Sequence, residues 1–68
     1  MSIRDKFVED VEEFMRFHFI PPTTFSLKFA YTPNFIIRLR KGMSPSGKTM
    51  DRIYKQMKEF ADERAQFT

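Results

Sequence analysis

Thr24-Phe25-Ser26-Leu27-Lys28-Phe29-Ala30-Tyr31-Thr32-Pro33-Asn34-Phe35-Ile36-Ile37-Arg38-Leu39-Arg40-Lys41-Gly42 is the segment whose reading decides the fold. It predicts a short helix, a tight turn, and a second short helix that ends at a glycine. Phe25, Phe29, Ile36 and Leu39 fall where two crossed helices need apolar side chains. Asn34, Arg38 and Lys41 fall on the other face. Two helices around a turn present one of them to DNA in this way.

Working outward, the chain on either side also has helical spacing. From Ser2 to about Phe19, the residues Ile3, Phe7, Val11, Phe14, Met15 and His18 recur every three or four positions. Asp5, Glu9, Asp10, Glu12 and Glu13 fill most of the complementary face. Ser2 is a cap, and Pro21-Pro22 stops this helix. The second helix starts near Pro22 or Thr23, where Thr can cap. Tyr31-Thr32-Pro33 breaks it. Thr32 then caps a third helix, which begins at Pro33, reaches about Lys41, and ends at the left-handed terminator Gly42. After a loop with two further candidate caps, Ser44 and Ser46, a last helix runs from about Ser46 to Arg64. Its stripe is Met50, Ile53, Tyr54, Met57, Phe60 and Ala61. The expected fold is all-α, four to five short helices in one domain over 1–68. One alternative stays open. The stretches 25–31 and 35–39 are rich in β-formers, so a hairpin turning at Pro33-Asn34 would give an α+β fold.

At 68 residues the chain is near the lower limit for a self-sufficient core. It has no cysteine, so packing of its nine Phe and five Met must supply stability, with dimerisation as a second source. The net charge is +3, unevenly placed. Between Lys28 and Lys58 eight basic residues face one acid, Asp51, a formal +7, while the two flanks together carry −4. That asymmetry points to an anionic partner for the middle segment. No run approaches the ~18 apolar residues of a membrane span, and no signal-peptide pattern opens the chain. A cytoplasmic protein without membrane contact is expected.

Catalytic and metal chemistry find little support. His18 is the only histidine and lies on the apolar side of its helix, where a structural role accounts for it. Glu9 and Glu13 have metal-pair spacing but no histidine to join them. Gly42-x-x-x-x-Gly47-Lys48-Thr49 matches a phosphate-loop pattern letter for letter. That loop needs a parallel sheet behind it, which this chain cannot supply, and Pro45 removes an amide from the cradle. The match reads as accidental. No enzyme activity, cofactor, metal or small-molecule substrate is expected.

The segment resembles the lambda-repressor/Cro-like helix-turn-helix family, with the motif at about 23–42. Phe25 and Ser26 match its opening apolar and small residues, and Phe29 and Ala30 match the next apolar residue and the small turn residue. Tyr31 takes the apolar turn position, Thr32 the capping position, and Ile36 and Leu39 the buried positions of the recognition helix. Gly42, Ser44-Pro45 and the helix carrying Met50, Ile53 and Met57 match the region beyond. The family commonly has Ala where Ser26 stands and Gly where Ala30 stands. A positive φ at Ala30 would cost about 1 kcal/mol relative to Gly. Pro-Asn-Phe, Leu-Arg-x-Gly and Ser-Pro-Ser look like small repressors of phage and mobile elements.

The resemblance implies a double-stranded DNA-binding regulator. Thr32, Asn34, Ile37, Arg38 and Lys41 would face the bases, with Asn34 suited to adenine and Arg38 to guanine. Thr23, Thr24, Lys28, Arg40, Ser44, Ser46 and Lys48 would hold phosphates. A homodimer on a palindrome is expected, with Tyr54, Met57, Phe60 and Phe67 as the dimer surface. Two rivals remain. One is a protein-binding module, such as an antitoxin-like partner or a phage inhibitor of a host protein. The other is a single-stranded nucleic-acid binder that stacks bases on aromatics exposed on a sheet.

Overall fold

Ser2 opens the first helix as its sequence position predicts: its hydroxyl accepts the Asp5 backbone N–H at 3.1 Å. The computed structural model describes residues 2–65. It contains four helices, α1 (Ile3–Phe17), α2 (Pro22–Ala30), α3 (Phe35–Arg40) and α4 (Gly47–Ala65). Among the described residues there is no strand, so the hairpin alternative at Pro33-Asn34 is corrected to a pair of helices.

The helix ends follow local rules, with some corrections to where those rules act. α1 closes with Phe19 at φ 56, Ile20 N–H bonded to the Met15 carbonyl at 2.9 Å, and Phe19 N–H to that of Arg16 at 3.4 Å. This is a Schellman closure with Phe in the place that favours glycine, and Pro21 follows it. α2 begins at Pro22 with no side-chain cap, so Thr23 is a first-turn residue rather than the cap. The left-handed residue of the following turn is Tyr31, at φ 61, not Ala30, which is still helical. α3 starts at Phe35 rather than Pro33, with Asn34 before it, and Thr32 does not cap it. Its C-terminus repeats the Schellman pattern, now with Gly42 at φ 112: Met43 N–H bonds to Arg38 O at 3.0 Å and Gly42 N–H to Leu39 O at 3.2 Å. Ser46 caps α4, accepting the Thr49 N–H at 3.2 Å.

The core gathers one stripe from each helix: Phe7, Val11 and Met15 of α1, Phe25 and Phe29 of α2, Phe35, Ile36 and Leu39 of α3, and Met50, Ile53 and Met57 of α4. Phenylalanine does most of the filling, edge to face. Phe7 meets Phe35 and Tyr54 at centroid distances of 6.5 and 5.4 Å, and half-buried Phe14 meets Phe25, Phe29 and Phe60 at 5.7–6.0 Å. Ile3 departs from its predicted place in the stripe: it lies one turn before the core begins and is exposed. No helix among the described residues is long and apolar enough to cross a membrane.

Candidate nucleic-acid interface

α3 has only six residues, too few to be stable alone, so its neighbours must hold it. Ser26, on the inward face of α2 between Phe25 and Phe29, is nearly fully buried. Its hydroxyl donates to the Pro22 carbonyl at 2.8 Å and accepts the Ile36 N–H at 3.1 Å. One of the free N–H groups at the start of α3 is therefore capped from α2, ten positions back in the chain. At the other end, Arg4 of α1 donates from Nε to the Met43 carbonyl at 2.9 Å and from Nη2 to the Leu39 carbonyl. Sequence reasoning missed both contacts. A serine inside an apolar stripe is a visible signal for the first; nothing local signals the second.

Pinned at both ends and buried along Phe35, Ile36 and Leu39, α3 turns its remaining face outward. Asn34, Ile37, Arg38 and Lys41 are exposed there, and Thr32 is half-buried in the turn. Ile37 is 47% exposed, an aliphatic residue among polar and basic neighbours. Among the described residues, neither Arg38 nor Lys41 forms an ion pair. The five expected base-facing residues thus lie on one short helix, in the turn before it and at its C-cap, Lys41.

The expected phosphate-facing residues divide. Thr23, Thr24, Ser44, Ser46 and Lys48 are all exposed, at the starts of α2 and α4 and in the loop between α3 and α4. Lys28 is exposed too, but its ammonium stands 4.8 Å over the Phe60 ring, in a groove that Glu59 and Glu63 also line. Arg40 turns toward α1, where it meets both Glu12 carboxylate oxygens, at 2.9 and 3.2 Å. Of the residues expected at a dimer surface, Tyr54, Met57 and Phe60 make contacts within the chain. Met57 is buried, and Phe60 is half-buried against Phe14, Phe29 and His18. Tyr54 is half-buried, and its hydroxyl donates to Asp10 Oδ2 at 2.6 Å. Phe67 lies outside the described residues. Among the described residues the large apolar side chains left most exposed are Phe19 at 91%, Ile3 at 77% and Phe17 at 76%.

Titration follows the same division of the molecule. Burial, then the bond and charge of Asp10, push the Tyr54 phenol up to about 12. That bond, joined by Lys6 3.1 Å away, holds the Asp10 carboxyl below its ordinary value. Burial among aromatics, with Arg64 nearby, lowers the His18 pKa below its ordinary value. Comparison with protein-family models, curated proteins and solved structures finds no match to this chain.

Proposed function

We propose that the protein is a sequence-specific double-stranded DNA-binding transcriptional regulator, with α2, the turn and α3 acting as a lambda-repressor/Cro-like helix-turn-helix. One observation carries this reading. A six-residue helix is fixed at both ends and along one face, yet with its two caps it shows Asn34, Ile37, Arg38 and Lys41 to solvent, and neither cation forms an ion pair among the described residues. Asn and Arg supply bidentate hydrogen bonds to base edges, Ile a contact for a thymine methyl, and Lys charge for the backbone. Acidic α1 lies away from DNA in this arrangement. One such helix reads few bases, so the protein binds as a homodimer on half-sites about 10 bp apart and represses by occupying its operator. No catalytic step is part of this function.

A gel shift tests it, using DNA upstream of the protein's own gene and duplexes selected from a random pool. Arg38→Ala is expected to weaken binding to the selected site by about 10- to 100-fold, from the roughly 1–3 kcal/mol of a bidentate base contact. Absence of binding at low salt, where backbone attraction is strongest, overturns the reading. A protein-binding module is the second reading, favoured by the exposure of Phe17 and Phe19 at the end of α1. It predicts a host-protein or toxin-like partner that Phe19→Ser releases. Base stacking on a sheet has no strand to use among the described residues.

A further inference from the structure

Where the α2–α3 turn meets α4, three side chains form a cluster outside the interface just described. Tyr31, left-handed at φ 61, is 67% exposed. Gln56 of α4 donates its amide N–H to the Tyr31 hydroxyl at 3.0 Å, and the Arg52 guanidinium stands 5.1 Å from the Tyr31 ring centre. The Gln56 amide oxygen is buried and has no hydrogen-bond partner among the described residues. A bulky left-handed residue and an orphaned amide oxygen are two local costs in one place. Such costs collect where function fixes a geometry. An exposed cation over a ring is too weak a contact to account for them by stability alone.

The contact has a chemical consequence. It holds the exposed guanidinium beside the ring, and the planar fork of its N–H donors matches paired phosphate oxygens. Among the described residues Arg52 forms no ion pair. Lys48 and Lys55, one turn before and one turn after it on the same face of α4, are exposed and raise the local positive charge.

We propose that Arg52, held against Tyr31, binds a backbone phosphate of the DNA and so positions α3 over the bases. This rests on the DNA-binding function proposed above. Tyr31 directly precedes Thr32 and stands three residues before Asn34, on the approach to α3. A phosphate held at Arg52 therefore fixes that end of α3 against the backbone. Arg52 makes the contact, and Tyr31 is a positioning residue acting through it.

Fluorescence anisotropy of the full chain with a short labelled duplex of mixed sequence, across a chloride series, tests this. Each phosphate contact contributes about 0.9 to the slope of log affinity against log salt. Arg52→Gln is expected to make the slope shallower by about that 0.9 while leaving the thermal unfolding midpoint unchanged, and Arg52→Lys, which keeps the charge, to restore it. Tyr31→Leu keeps both the backbone strain and the Arg52 charge. It should keep the slope and weaken binding roughly three-fold, the scale of an exposed cation–π contact. An unchanged slope in Arg52→Gln overturns this inference and leaves the DNA reading standing. A failure of the unaltered chain to bind at low salt overturns both. If Arg52→Gln instead abolishes only a rise in melting midpoint with inorganic phosphate, the site belongs to a free anion and the proposal falls.

Discussion

Among the described residues Ser26 is the one buried polar side chain in the core, and its hydroxyl works in both directions, donating to Pro22 and accepting from Ile36. A lambda-repressor-like pattern treats serine here as a mild variant of alanine. The structure gives it a larger part, because removing the hydroxyl leaves the Ile36 N–H buried with no acceptor. Ser26→Ala is therefore expected to destabilise the fold by about 1–3 kcal/mol, read as a lower urea midpoint at unchanged slope. A change below about 0.5 kcal/mol, the ordinary scatter of neutral substitutions, would show that α3 needs no cap from α2. Tyr31 illustrates how a single residue can depart from a sequence rule. Glycine is the default at positive φ, and the pattern places the turn residue at Ala30. The chain instead carries α2 through Ala30 and lets Tyr31 take the left-handed conformation, where Gln56 holds its hydroxyl.

At the scale of elements, α1 and α4 are joined by the hydrogen bond from Tyr54 to Asp10, and its two ends titrate in opposite directions. Asp10 is depressed in the folded state, so its contribution is present above the ordinary carboxylate value and is lost as pH falls through the folded one. Tyr54 is raised to about 12, so its contribution is complete below the ordinary phenol value of 10.0 and is lost as pH rises through about 12. Tyr54→Phe should cost about 1.5 kcal/mol at neutral pH and flatten both limbs of the stability–pH curve, measured by urea unfolding across pH. Limbs as steep as in the unaltered chain would assign them to other groups. The same bond marks how far the sequence could be read. All four helices were legible, because apolar spacing, Pro21-Pro22, Gly42 and the Ser2 and Ser46 caps are local signals. The outward set on α3 was legible for the same reason: once Phe35, Ile36 and Leu39 are buried, the other face is determined. Tyr54 with Asp10, Arg4 with the end of α3, and Ser26 with its start join residues 44, 35 and 10 positions apart. No spacing rule encodes such pairs. Tyr54 and Met57 belong to a stripe wide enough to suggest a spare outward face, and only the tertiary structure shows Met57 buried and Tyr54 half-buried and bonded to Asp10.

For the molecule as a whole, the formal +7 between Lys28 and Lys58 overstates the charge that a phosphate backbone would meet. Arg40 is tied to Glu12 of α1, and Lys28 stands beside Glu59 and Glu63. Among the described residues Arg38, Lys41, Lys48, Arg52, Lys55 and Lys58 form no ion pair, so most of the usable charge lies on α3, its C-terminal cap and α4. Arg40 was expected at the phosphates, and its pairing makes Glu12 the residue that decides whether it can reach them. The pair is partly exposed, so breaking it should change stability by less than about 1 kcal/mol. Its effect on binding should be plainer. Glu12→Gln removes the carboxylate that draws Arg40 toward α1 and leaves the guanidinium free. If Arg40 lies within reach of the DNA backbone, this variant binds a mixed-sequence duplex more tightly than the unaltered chain. It also steepens the salt slope by up to about 0.9, one additional phosphate contact. An unchanged salt slope would place Arg40 outside the interface.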